Sequence, residues 1–148
     1  MKNEYLNLKL IGKSNDDLKT ISAYLQDSIV AQKDIIFLKI NRVFVIIASR
    51  FMWEDAERGL FRENRRIRCA LRFNQVLNVI CKKINQKKKN SVFELLTIEN
   101  TLVEDQIYKI NLIFSGDSII TVFAEEIDVL MDDLGKSWVV KSAPKHKI

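Results

Sequence analysis

The side chains best suited to chemistry in this sequence are arginines: Arg62, Arg65, Arg66, Arg68 and Arg72 crowd one short stretch. In an extended strand Arg66, Arg68 and Arg72 fall on one side, with next-but-one residues about 7 Å apart, and guanidinium forks at that spacing suit phosphate or carboxylate oxygens. These five are the candidate contacts for an anion or a partner. The ridge has four outcomes: it grips nucleic acid, pairs with acids inside the same fold, pairs across a symmetric dimer, or is solvated.

Carboxylates form the second set. Glu125, Glu126 and Asp128 could hold a divalent cation through oxygen ligands, but acids in the first turn of a helix also complement its dipole, and Asp132-Asp133 then faces solvent. The solvated reading is the stronger. His146, beside the C-terminus, is the one histidine, so imidazole catalysis has almost nothing to build on. Ser49, Ser115 and Ser118 lack a nucleophile-elbow context, and neither Gly-x-x-x-x-Gly-Lys nor Gly-x-Gly-x-x-Gly occurs. Cys69 and Cys81 sit inside apolar patterns and read as small buried hydrophobes, and Trp53 and Trp138 read as packing rather than base-stacking platforms. No catalytic residue, cofactor or metal is expected.

The charges are sorted along the chain. From Arg58 to Lys89 there are eleven basic residues against the single acid Glu63, whereas from Glu94 to Asp133 there are ten acids against Lys109. A net charge of +5 therefore conceals a dipolar sequence.

The elements that must position these groups follow from periodicity. Leu6, Leu8 and Leu10 alternate as a short strand; Ser14-x-x-Asp17 resembles a capping box; and Leu18, Ile21 and Leu25 mark a helix face ending near Asp27. Ile35–Leu38 and Val43–Ile47 read as a hairpin turning at Asn41-Arg42, and Glu54 to Arg65 as a loop with one helical turn. Ile67, Cys69, Leu71 and Phe73 alternate with the arginines as the cleanest strand, and the short Asn74-Gln75 link offers residues 76–84 as its hairpin partner, although their spacing also fits a helix. Val92–Ile98, Ile107–Phe114 and Ile119–Phe123 follow as strands. Ile127, Leu130, Met131 and Leu134 predict a second helix from Glu125 to Leu134 with Gly135 as its left-handed C-cap. This pattern faintly echoes the first helix and its flanking strands.

Length and composition bound the rest. A chain of 148 residues with 47% hydrophobic and 29% charged residues builds one core without disulfides or metal, so a single domain over 1–148 is expected, with 141–148 as a flexible tail. Its apolar runs are too short to span a bilayer and its N-terminus opens no signal sequence, which points to a cytoplasmic protein without membrane insertion.

Leu8-Lys9-Leu10-Ile11, Asp17-Leu18-x-x-Ile21-Ser22-Ala23-x-Leu25-Gln26-Asp27, Arg50-Phe51-x-Trp53-Glu54, Arg68-Cys69-Ala70-Leu71-x-Phe73 and Asp133-Leu134-Gly135-x-x-Trp138 together carry a resemblance. The chain resembles a bacterial family of short uncharacterised proteins, domain of unknown function 2948. The lysine-rich run from Gln86 to Asn90 stands outside that pattern. The resemblance implies a freestanding bacterial protein of one domain and brings no catalytic residue with it.

The fold expected from these signals is α+β: a bent, mainly antiparallel sheet or partly open barrel with two packed helices, comparable with pleckstrin-homology-like barrels. The function expected is a non-enzymatic binding or assembly module using the Arg-rich strand and an acidic helix face, with an unknown protein partner or itself as a homodimer. The alternatives are a nucleic-acid or phosphate-binding protein and an enzyme of unfamiliar carboxylate-based type.

Overall fold

The computed structural model describes residues 7–56, 63–84 and 90–144. Nine strands form a single open sheet in the order β1-β9-β4-β3-β2-β6-β7-β8-β5, and every pairing is antiparallel. The strands are β1 (Lys9–Gly12), β2 (Ser28–Leu38), β3 (Val43–Phe51), β4 (Arg65–Phe73), β5 (Val76–Lys82), β6 (Val92–Val103), β7 (Ile107–Phe114), β8 (Ile119–Ala124) and β9 (Val129–Val139). The helices are α1 (Asn15–Leu25) and a single turn, α2 (Trp53–Ala56).

Helix α1 begins as its sequence dictates. The Asp17 N–H donates to Ser14 Oγ at 3.1 Å, and Asp17 Oδ2 accepts from the Lys13 N–H at 2.8 Å. That second bond holds the Asp17 carboxyl below the usual carboxylate range. Leu18, Ile21 and Leu25 bury one face of α1 in the core, beside Gly12, where an added Cβ would stand 3.0 Å from Ile21 Cδ1. A side chain there would require the end of Ile21 to shift by a few tenths of an ångström.

The sheet curls until its edge strand β5 approaches β3. Between β2 and β3 the turn closes with the Arg42 N–H donating to Lys39 O at 3.2 Å, and Arg42 takes a left-handed φ of 57°. Three turns are then stitched together, because the Val76 N–H donates to Arg42 O, the Glu125 N–H to Gln75 O and the Asn74 N–H to Asp128 O. At this corner the chain leaves β4 and crosses to the far edge, so β5 pairs with β8 instead of forming a hairpin with β4. Residues 76–82 are strand, with Val76, Val79 and Cys81 turned inward.

The α+β expectation with two packed helices is overturned. The segment expected as a second helix, from Glu125 to Leu134, supplies β9, which pairs with β4 on one side and β1 on the other. Its apolar residues satisfy two periods at once, and the open edge of β4 decides between them, since an unpaired central strand would strand a row of buried backbone donors and acceptors. Gly135 is left-handed at φ 71°, but it lies within β9, where Trp138 and Leu134 pair with Arg66 and Arg68. Four steps on β9 thus match two on β4, so the glycine serves a β-bulge rather than a helix cap. With that helix gone, the echo between two helix-containing segments and the comparison with a helix-closed barrel both lose their basis.

Phe44, Ile46, Leu71, Phe73, Ile110, Leu112, Phe114, Ile120, Val122 and Met131 fill the concave side with α1. Full burial of such side chains stabilises by about 1.5–3 kcal/mol each before conformational entropy is set against it. Among the described residues no helix is long and apolar enough to cross a membrane.

Candidate functional site

On β4 the inward residues Ile67, Cys69, Leu71 and Phe73 are buried, which leaves Arg66, Arg68, Ala70 and Arg72 on the convex face. Their environments differ. Arg66 is half-buried: its NH1 donates to Ser49 O at 2.9 Å and Asp27 O at 3.5 Å, and its guanidinium lies over the Phe51 ring. Burial pulls its pKa down, against the opposing charges of Glu94 and Asp27. Arg65 donates to Ser137 Oγ at 2.8 Å and to Glu63 at 3.2 Å. Arg68 and Arg72 are exposed; Arg68 stands 3.9 Å from Asp34, and Arg72 Nε donates to Asn74 Oδ1. Arg62 and the Lys87 to Lys89 run lie outside the described residues.

Register places neighbours around the two exposed arginines. One row across the sheet runs Ile11, Leu130, Arg72, Val45, Ile36, and a second runs Leu134, Arg68, Ser49, Ile29. Between them lies Lys9, Asp132, Ala70, Ile47. Ile11, Ile29, Ile36 and Leu134 are all exposed. The face therefore mixes exposed guanidinium groups with bare aliphatic side chains.

On the opposite side of the same strands lies a group that sequence reasoning missed. Arg50 is wholly buried, at 0% exposure, and grips two carboxylates. Its Nε and NH2 donate to Asp133 Oδ1 and Oδ2, both at 2.7 Å, while NH1 and NH2 donate to Glu54 Oε1 and Oε2 at 3.0 and 2.7 Å. The Tyr24 ring of α1 lies 5.8 Å from the guanidinium carbon. Asp133 Oδ2 also accepts the Leu8 N–H at 2.8 Å. Desolvation alone would lower the Arg50 pKa, but the bonds to Asp133 and Glu54 outweigh it and the net shift is upward. The guanidinium stays charged.

A family model described as "protein of unknown function (DUF2948)" matches residues 8–146. The chain belongs to that family. No curated protein and no solved structure matches it. Several of the residues that carry the resemblance to DUF2948 meet at this one place: Arg50, Glu54 and Asp133 in the clamp, and Trp53 beside it. Trp53 packs edge-on against Phe51 at 4.6 Å and donates its indole N–H to Gln26 O at 3.0 Å. In this DUF2948 chain two carboxylates thus converge on Arg50, an arrangement that ties β3 to β9 across β4.

The remaining acids are dispersed. Asp133, expected on a solvent face, is buried; Glu125 pairs with Arg42 and Asp128 with Lys13, each at 2.8 Å. Residues 125–134, expected to present an acidic helix face, contain no helix. Asp132 lies on the convex face of β9, next to Ala70 of β4, so the basic and acidic halves of the sequence touch along the β4–β9 ladder.

Both cysteines are free thiols. Burial, and then the charge of Asp133, pushes the Cys69 thiol up to about 12, and burial alone raises Cys81, which is half-buried. In the native protein at neutral pH, Cys81 should take up a maleimide slowly and Cys69 not at all, with two labels after denaturation. Mass spectrometry of the labelled peptides reads this directly; rapid native labelling of Cys69 contradicts the packing of β3, β4 and β9.

Proposed function

We propose that the protein is a cytoplasmic, non-enzymatic assembly module that pairs with a second copy of itself through the convex face of β9, β4, β3 and β2. The observation that carries this reading is the in-register alternation of Arg68 and Arg72 with exposed Leu134, Ile11, Ile29 and Ile36. Arginine set among apolar side chains is the composition of interface cores, where both types are enriched and water is excluded. The face also carries both charge signs, Lys9, Arg68 and Arg72 against Asp34 and Asp132, so a two-fold axis near Ala70 can set basic rows against acidic ones.

Nucleic acid fits this face less well. A phosphate backbone rewards a run of free cations, and here Arg65 and Arg66 donate to their own chain while Asp34 and Asp132 stand among the rest. A carboxylate enzyme is disfavoured because Asp133 and Glu54 share one guanidinium.

Light scattering across low to high micromolar protein should show a monomer–dimer equilibrium. Ala70→Glu, which sets like charges against each other near the axis, should weaken the dimer by at least about tenfold without lowering the melting temperature measured at low micromolar protein, where the dimer is dissociated. A monomer at every concentration overturns the proposal. So does salt-sensitive binding of a random DNA duplex whose salt slope flattens in the Arg68→Glu, Arg72→Glu variant.

A further inference from the structure

The concave side of the sheet is not filled along its whole length. β2 pairs with β6 only from Ser28 to Ala31, and beyond that point it runs on against β3 alone. The parting leaves a cleft of about 480 Å³. Phe44 and Ile120, both buried, form its floor, and Ile35, Phe37, Val79 and Cys81 form its walls. Those four are turned inward and touch the core, yet each is only partly buried, because nothing among the described residues closes the space above them. The volume lies within the range of small-molecule sites, and the lining has their usual apolar character.

Polar groups enter at one place. Five residue steps separate Val30 from Ile35 on β2, where two separate their partners Ala48 and Ile46 on β3. This large bulge breaks the in-and-out alternation and brings Gln32 and the exposed Lys33 to the edge of the cleft. Gln32 Oε1 is enclosed and accepts no hydrogen bond from the described residues, although the Gln32 backbone N–H is anchored on Ser91 O at 2.9 Å. An enclosed acceptor without a donor is costly unless something else fills the role. An exposed lysine and an unmet acceptor, on consecutive residues at the edge of an apolar floor, define the complement: an aliphatic body whose head carries negative charge and a hydroxyl.

We propose that this cleft binds an aliphatic hydroxy acid, its chain on Phe44 and Ile120, its carboxylate facing Lys33 and its hydroxyl donating to Gln32 Oε1. The cleft opens on the opposite side of the sheet from Arg68 and Arg72, so it stands or falls independently of self-association.

Calorimetric titration of the full chain with 3-hydroxydecanoate, decanoate and decanol, each below its aggregation threshold, tests the assignment. The hydroxy acid should bind about tenfold tighter than decanoate, and decanoate tighter than decanol. Gln32→Leu should abolish the first difference while decanoate still binds, Lys33→Glu should weaken both acids about tenfold, and Cys81→Trp should block the site. Because the tryptophan could disturb folding, protection of Cys81 from maleimide by saturating 3-hydroxydecanoate locates the ligand in the unaltered protein. No binding, equal affinity for all three compounds, or binding that leaves Cys81 labelling unchanged would each overturn the proposal.

Discussion

Arg50→Ala should remove about 3–5 kcal/mol of stability, a large share of the 5–15 kcal/mol that holds a domain of this size. The loss comes less from the missing ion pair than from what stays behind. Asp133 would be left with no side-chain exposure, still accepting the Leu8 N–H but without its guanidinium partner. Arg50→Lys should be intermediate, because an ammonium cannot present two parallel donors to each of two carboxylates. Replacing the buried pair together, as Arg50→Met with Asp133→Leu, should recover most of the loss, since desolvation of both ions is removed along with their attraction. Glu54, with 18% of its side chain exposed, can turn to water. Urea unfolding followed by tryptophan fluorescence measures all three variants. A loss below about 1 kcal/mol for Arg50→Ala would show that water reaches the clamp and that its charges are not structural.

The clamp had a signal in the sequence. Phe44, Ile46, Ala48 and Arg50 share one parity, so an arginine continues a row of core residues, and Asp133 continues Val129 and Met131 in the same way. A strand that ends at Ile47 stops before Arg50 and gives that residue no side. A helix over 125–134 then carries Asp133 to the surface, away from Arg50. Local signals fared better where they were complete in themselves. Ser14 and Asp17 set the start of α1, strict alternation set β7 and the outward arginines of β4, and Gly116 with Asp117 set the turn before β8. The order of strands was out of reach, because the two-residue Asn74-Gln75 link looks like a hairpin turn and only the far partner β8 makes it a corner. The cleft depends on a bulge in β2 that lies before Ile35–Leu38, the part of β2 legible as a strand, and it shows only as a shift of register against β3.

The strand assignment of 129–139 has the second large consequence, and it separates two side chains that a helix would treat alike. On a helical face Ile127, Leu130, Met131 and Leu134 would all meet the core, and truncating any of them would cost a similar amount. In β9 Met131 points inward at 0% exposure, whereas Leu134 points outward at 38%. Met131→Ala should therefore cost about 2–5 kcal/mol, the transfer of the lost atoms plus the cavity they leave. Leu134→Ala should change stability by no more than about 0.5 kcal/mol when measured at low micromolar protein, where the proposed dimer is dissociated. Chemical denaturation of the two variants beside the parent gives the comparison. Equal losses would mean that the segment meets the core as a helix, and the β4–β9 ladder, with the Arg50 clamp that spans it, would have to be abandoned.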